Sequence, residues 1–268
     1  MTARKAQRSW CFLILFCIIP SSPQQCVTTD FKKKVSGKLN ENSFKPLFSI
    51  QENSYGILFH KCLYYCEQDK RCIGFQICKV SESLFQCQIC CHWRKIVGYT
   101  VTKTPDCKYF EKEFNFATNL ARNKTTTLSS TLEGHISSNA VDGNTDCDEE
   151  NSTAASRNTF KPHLLIQLDG TYTIERIVIH AKLLELKYDL GAGLTNTLSL
   201  ADNIVVNITD ETMNRTHECG GKYPGPTGTR DVILFLCPPG TRGNSITVKK
   251  IKKSFLMNLC EVEAYGHM

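Results

Sequence analysis

The chain has 268 residues and a formal net charge of +6, and 15 of its residues are cysteines. So mild an excess of positive charge does not require a nucleic-acid partner. Beyond the N-terminal segment, no apolar run approaches the about 20 residues that a membrane-spanning helix needs, so we predict no membrane span.

The N terminus has the pattern of a secretory signal peptide. Three basic residues, Arg4, Lys5 and Arg8, precede an apolar run over residues 10–19, and small residues follow it. The run is too short to cross a bilayer, although an N-terminal anchor remains the alternative. We assign residues 1–24 to the signal peptide and expect a secreted, extracellular protein. Its removal lowers the net charge from +6 by three, to +3.

The remaining cysteines and the glycosylation sequons predict the same compartment. Cys11 and Cys17 lie in the signal peptide, which leaves 13 cysteines in the mature chain. In a secreted chain this number indicates disulfides. N-x-S/T sequons, which predict glycans on surface loops, occur at Asn123, Asn151, Asn207 and Asn214.

Cysteine density divides the mature chain into two domains. Nine cysteines lie between Cys26 and Cys107, and four lie beyond. We place the boundary near residues 112–118. Residues 26–112 can bury only a modest core and would depend on disulfides, whereas residues 116–268 are numerous enough for one β domain.

The first domain contains a predicted helix with a cysteine face. Leu58, Cys62 and Cys66 are four residues apart and would share one side of a helix. A strand-like run then begins with the sequence Cys-x-Gly-Phe at residues 72–75. This C-x3-C-x5-C-x-G-F spacing resembles the PAN/apple domain, which implies one helix packed on a small antiparallel sheet.

The PAN/apple resemblance also implies a set of disulfides: Cys66–Cys72, Cys62–Cys87 and Cys26–Cys107. Nine cysteines cannot all pair within the domain, so one is free or bridges to a second chain in a disulfide-linked dimer. PAN/apple domains bind proteins or carbohydrates. The alternative is that this half is a disulfide-linked spacer without a binding function. Zinc binding by the C-x2-C pair at residues 87 and 90 is disfavoured in a secreted chain. The resemblance leaves three cysteines unassigned: Cys78, Cys90 and Cys91.

The second domain is predicted to be a β-sandwich or jellyroll. Short apolar runs are separated by turn signals, among them Asp169-Gly170 and Gly220-Gly221. Many short strands with such spacing are typical of these folds. The predicted strands cover residues 163–170, 175–183, 203–209, 231–237, 244–251 and 259–266.

Three segments give the second domain a more specific resemblance. NLARNKTTTLSST opens it, SNAVDGNTD follows, and LCEVEAYG closes it. The combination resembles the F-type lectin (fucolectin) family within the discoidin-like jellyrolls, over most of residues 116–268. The resemblance implies a jellyroll stabilised by Ca²⁺ and the disulfides Cys147–Cys260 and Cys219–Cys237. The fold class expected for the whole chain is therefore mainly β.

The turn at residues 142–144 suits a hard cation, because Ca²⁺ prefers carboxylate and carbonyl oxygens and Gly143 permits a tight backbone. An Asx-type turn without metal is the alternative. The ligands implied by the family are Asn139, Asp142, Asn144, Ser152, Cys260 and Glu261.

The family's sugar-binding residues are only partly present. Arg157 stands where the family has a histidine, and Lys182 stands where it has the first arginine. Leu184 replaces the aspartate that would orient that cation, and Lys for Arg loses bidentate geometry. His180 is a further candidate, with a structural strand histidine as the alternative. The sugar site is therefore expected to be rebuilt or lost.

Two functions follow from these patterns. The first is a secreted carbohydrate-binding recognition or adhesion protein whose partners are glycans or glycoproteins. The second is an extracellular protein-interaction module that has lost the sugar site. We do not expect an enzyme, because the chain has no G-x-S-x-G, H-E-x-x-H or P-loop sequence.

Overall fold

A computed structural model gives the fold of the protein. It describes residues 31–40, 43–69, 71–97, 101–102, 104, 106–112, 118–148, 152–157, 160–182, 202–225, 230–251 and 257–268. Within these ranges the chain is mainly β, with one α-helix, as predicted.

The first half consists of the helix and seven strands. The helix α1 spans Tyr55–Gln68, and the antiparallel sheet beneath it is ordered β1-β7-β4-β5, with β3 on the other edge of β5. The strands are β1 (Phe31–Ser36), β2 (Lys38–Leu39), β3 (Phe44–Glu52), β4 (Gly74–Ser81), β5 (Leu84–Val97), β6 (Val101–Thr102) and β7 (Cys107–Lys112).

Disulfides fasten the helix to this sheet. The side chains of Leu58, Cys62 and Cys66 are all fully buried on the sheet-facing side of α1. Cys62 bonds to Cys87 on β5, and Cys66 bonds to Cys72 just before β4. Both pairs coincide with those implied by the PAN/apple resemblance.

The expected Cys26–Cys107 disulfide is wrong in this structure, because Cys107 bonds to Cys78. Strands β4 and β7 are neighbours, and their register places Cys78 directly opposite Cys107. Their Cα atoms are 4.1 Å apart. Cys90 and Cys91 bond to each other. A zinc site at residues 87 and 90 is therefore excluded, and Cys26 lies outside the described residues.

The second half is a two-layered β-jellyroll built around one long strand. Residues 163–167 of β10 pair with β14 and β8, and its residues 173–182 pair with β16 and β13. The predicted turn at Asp169-Gly170 is wrong, because the strand continues and changes partners there. The strands are β8 (Thr125–Leu128), β9 (Ala154–Ala155), β10 (His163–Lys182), β11 (Ile204–Asp210), β12 (Arg215–Tyr223), β13 (Arg230–Leu236), β14 (Arg242–Lys250), β15 (Asn258–Leu259) and β16 (Glu261–His267).

The predicted turn at Gly220-Gly221 is also wrong, because these glycines form an irregularity inside β12. The pairing of β12 with β11 shifts register at this point, and both glycines have φ of +71°. A Cβ atom on Gly220 would lie 2.6 Å from the carbonyl oxygen of His92. Glycine is therefore required where β5 of the first half approaches β12.

The two halves share one antiparallel sheet. Strand β5 pairs with β13, with Trp93 opposite Phe235 and Lys95 opposite Ile233. A buried cluster at the junction takes side chains from both halves, including Phe44 and Leu234. The halves are thus fused through backbone hydrogen bonds and a common core, and residues 113–117 of the predicted boundary lie outside the described residues.

Candidate functional site

The loop expected to bind Ca²⁺ follows a 3₁₀ turn over Ser137–Ala140. The backbone N–H of Asn144 donates to Asp142 Oδ1 at 2.7 Å, and that of Asp146 donates to Asn144 Oδ1 at 2.8 Å. Gly143 takes a φ of +84° between them. Successive Asx turns therefore hold the loop in a tight curve.

Glu261 lies beneath this loop and is fully buried. Its Oε1 accepts a hydrogen bond of 3.2 Å from the backbone N–H of Gly143, whereas its Oε2 is buried and has no hydrogen-bond partner. Burial, followed by the nearby carboxylates of Asp142 and Glu263, raises the pKa of Glu261 to about 8. The guanidinium of Arg122, which lies beside Gly143, opposes this shift.

The other expected ligands flank the same loop. The side-chain amide of Asn139 donates to the carbonyl oxygen of Thr153 at 3.2 Å, which places Asn139 close to Ser152. His135 Nδ1 also contacts Thr153, at 3.0 Å from its hydroxyl. The disulfide between Cys147 and Cys260 ties the loop to the start of β16.

The oxygen atoms around this loop are of the kind that a hard cation prefers. Among the described residues, no group of three or more His, Cys, Asp or Glu side chains could hold a metal ion, so a cation here would depend on fewer carboxylates than such a group supplies. The converging groups are instead two carboxylates, of Asp142 and Glu261, with amide and backbone oxygens around them. Such an oxygen set is what Ca²⁺ binds. The unpartnered oxygen of Glu261 is the observation that a cation would explain.

The sugar-site candidates lie on either side of one short segment, residues 257–261. Ser156, which precedes Arg157, exchanges hydrogen bonds with Met257, and the N–H of Cys260 donates to the carbonyl of His180. Met257 and Cys260 are three positions apart along an extended segment, which corresponds to about 10 Å. The structure thus places Arg157 and His180 at the same end of the jellyroll but at opposite ends of this segment.

Each candidate side chain has local contacts of its own. Arg157 is exposed, and its Nε donates to the carbonyl of Thr131 at 2.9 Å. His180 is mostly buried, and its Nε2 lies 3.2 Å from a carboxylate oxygen of Glu263. Lys182 ends β10 opposite Arg230, and only its backbone is described.

Asn258 is a site residue that sequence reasoning missed. It lies on the 257–261 segment opposite Ala155, it is 1% exposed, and neither its Oδ1 nor its Nδ2 has a hydrogen-bond partner. A buried amide with neither donor nor acceptor satisfied is rare in proteins. Its only signal in the sequence is its place two residues before the Cys-Glu pair.

The sequons fall on different kinds of structure. Asn123 and Asn214 occupy exposed turns with positive φ, of 56° and 51°. Asn207 is wrongly predicted to lie on a loop, because it is half-buried within β11, between β12 and β14. Asn151 lies outside the described residues.

No helix among the described residues is long and apolar enough to cross a membrane. No family model and no curated protein matches the sequence.

Solved structures similar in fold include a fucose-binding module of Streptococcus pneumoniae, with 21% identity, 57% of this chain and 100% of that chain covered, and a TM-score of 0.44. The lectin domain of lectinolysin in complex with Lewis B antigen has 19% identity, the same coverage and a TM-score of 0.45. A fucolectin from striped bass (Morone saxatilis) serum has 17% identity, 74% of this chain and 73% of that chain covered, and a TM-score of 0.45.

Proposed function

We propose that the chain is a secreted carbohydrate-binding protein of recognition or adhesion, with a first domain of PAN/apple type and a second of F-type lectin type. The jellyroll end formed by the loop at residues 142–144 and the segment at residues 257–261 is stabilised by Ca²⁺ and contacts glycans or glycoproteins. Secretion is supported by the N-terminal signal pattern and by the six disulfides.

One observation carries this proposal: two buried polar side chains on the same short segment, Asn258 and Glu261, have unpartnered atoms. Buried polar groups are nearly always satisfied, by protein, water or a ligand. Glu261 faces the carboxylate of Asp142 across Gly143, where a cation is the natural partner. Asn258 carries both a donor and an acceptor between Arg157 and His180, the combination that sugar hydroxyls require, and because it is 1% exposed the segment at residues 257–261 would shift to present it.

Calcium would act structurally in this arrangement. Asp142 and Glu261 would supply carboxylate oxygens, with Asn139, Asn144, Ser152 and Cys260 nearby as further oxygen donors. A bound cation offsets the repulsion between the two carboxylates and fixes the loop on β16. The adjacent 257–261 segment is thereby held in place for binding.

The test is a glycan array probed with the secreted protein in Ca²⁺ and again in a chelator. We expect binding to a defined sugar class in Ca²⁺, with loss in chelator. Asn258→Ala and Arg157→Ala should lower this binding while the protein stays folded. The matched control is Arg215→Ala, which removes an exposed cation at the β11–β12 turn, away from the site. A folded protein that binds no glycan under either condition would contradict the proposal.

A second candidate, a protein-interaction module, is favoured by an aromatic surface on the first half. Ile57, Tyr64 and Tyr65 on α1 are 54%, 59% and 41% exposed, and Phe48 on β3 packs edge-on against Tyr65. Exposed apolar groups of this kind commonly mark interfaces. Capture of an extracellular protein by the wild type, and its loss in Tyr64→Ser without loss of glycan binding, would support this function.

A further inference from the structure

A pocket of about 270 Å³ in the first half lies outside the proposed sugar site. Its apolar walls are formed by Leu39, Phe44, Pro46 and Trp93. Ligand pockets of about 300–1,000 Å³ are typical of proteins, so this one matches a single small unit and not a long chain. Three polar side chains complete the lining: Lys38, Lys45 and Gln88.

Gln88 is oriented as a donor by a relay of amides. The buried side chain of Gln76 accepts a hydrogen bond from the backbone N–H of Leu39 at 2.6 Å and donates to Gln88 Oε1 at 2.9 Å. Because the oxygen of Gln88 already accepts from Gln76, the NH₂ group is the part of this side chain left to serve a ligand.

Trp93 contributes an aromatic wall to the pocket. It stands opposite Lys45 in the pairing of β3 with β5, and its ring packs edge-on against Tyr223 of the second half with centroids 5.2 Å apart. This packing on the second half fixes the position of the ring.

The two lysines make the pocket positive. Lys38 and Lys45 are both exposed, and neither forms an ion pair with a carboxylate among the described residues. No carboxylate belongs to the described lining. The first half as a whole is also positively charged, because residues 31–112 contain 14 basic and 7 acidic side chains. Residues 113–268, by contrast, contain 15 basic and 18 acidic side chains. A surplus of this kind draws anions towards the first half.

We propose that this pocket binds an acidic saccharide unit, one that bears a carboxylate or a sulfate. The three polar side chains present donors to the pocket, because the oxygen of Gln88 already accepts from Gln76, and donors match an acceptor-rich anion. The ammonium groups of Lys38 and Lys45 would form charge-assisted hydrogen bonds with the acid, and the NH₂ group of Gln88 would donate to a ring or hydroxyl oxygen. The apolar walls suit the nonpolar face of a sugar ring. This site is separate from the Ca²⁺-dependent end of the jellyroll.

The experiment measures the affinity of the full secreted protein for three size-matched oligosaccharides: sulfated heparin, oligogalacturonate, which carries carboxylates alone, and neutral dextran. We expect the protein to bind at least one of the two acidic oligosaccharides, and this binding should not change when a chelator is added. It should not bind dextran. The paired substitution Lys38→Ala/Lys45→Ala should weaken that binding by about 10-fold or more, because charged hydrogen bonds are lost. Binding of oligogalacturonate identifies a carboxylate ligand, and binding of heparin alone identifies a sulfate ligand.

Two further variants keep the test specific. Gln88→Glu retains the oxygen that accepts from Gln76 but replaces the donor with a negative charge, so it should also weaken binding by about 10-fold. Lys33→Ala/Lys79→Ala removes the same charge from exposed positions outside the pocket and should change affinity less than about 2-fold. Equal losses in the pocket and control pairs, or no binding of either acidic probe by folded wild type, would overturn the proposal.

Discussion

Lys95 of the first half and Asp231 of the second form an ion pair at 3.0 Å in which both side chains are fully buried. Tyr223 also donates its hydroxyl to Asp231, and burial raises the pKa of this tyrosine, which keeps it protonated as a donor. The ammonium group of Lys95 lies 5.7 Å from the centre of the Tyr223 ring. The junction between the halves therefore holds a buried polar cluster within an apolar core, in which Asp231 Oδ1 has no hydrogen-bond partner.

Removal of one partner from this pair should destabilise the protein strongly. We expect Lys95→Met to lower the free energy of unfolding by about 3 to 5 kcal/mol, because Asp231 would be left buried without its cation. Denaturant unfolding measures the change. The double variant Lys95→Met/Asp231→Leu should recover part of the loss, and a double variant as unstable as the sum of both single changes would show that the charges are not coupled.

The glycine bulge at the same junction gives a second prediction. Gly220→Ala should destabilise the protein by about 1 to 3 kcal/mol more than Gly240→Ala. The two glycines have similar φ values, of +71° and +75°, but only at Gly220 would the new Cβ meet the His92 carbonyl, whereas Gly240 has no atom within 4 Å. Thermal unfolding of both variants checks this expectation, and equal midpoints would show that the approach of β5 is not tight.

Calcium should stabilise the folded protein through the loop at residues 142–144. At a Ca²⁺ concentration of about 100 times the Kd, we expect about 2.7 kcal/mol of stabilisation, or a rise of about 5 to 10 °C in Tm relative to chelator. Asp142→Asn and Glu261→Gln should abolish this rise. Asp146→Asn, which removes the same charge from an exposed position in the same loop, should retain it. A Tm that does not respond to Ca²⁺ in the wild type would contradict the metal site.

The disulfide between Cys147 and Cys260 should contribute more stability than that between Cys219 and Cys237. The two cysteines are 113 residues apart in the first bond and 18 residues apart in the second. The conformational entropy that a disulfide removes from the unfolded chain grows with the length of the loop that it closes. We expect paired alanine substitutions to cost about 5 kcal/mol and about 3 kcal/mol respectively. Calorimetry of the two variants gives the comparison, and a reversed order would point to strain or residual structure in the unfolded state.

We expect Cys26 to be the cysteine that links two chains in a disulfide-linked dimer, one of the two outcomes that the odd number of cysteines allows. Among the described residues, six disulfides use twelve of the 13 cysteines that follow the predicted signal peptide, and Cys26, which lies outside those residues, is the one that remains. On a non-reducing gel the wild type should migrate as a dimer, and Cys26→Ser should migrate as a monomer. A wild-type protein that migrates as a monomer would show that no disulfide-linked dimer forms.

The sequence by itself determined the features that depend on local pattern. The N-terminal apolar run, the helix face with Leu58 and Cys62, and the alternating strands are visible because period and spacing follow from local backbone geometry. The Asp142–Asn144 turn and its pairing with the closing Cys-Glu came from the family resemblance.

What only the tertiary structure decided depends on residues far apart in the chain. The register of β4 and β7 selected Cys78 as the partner of Cys107, and the pairing of β5 with β13 joined the two halves into one sheet. Strand partners and the closure of a pocket by distant side chains arise from packing, which no local pattern encodes.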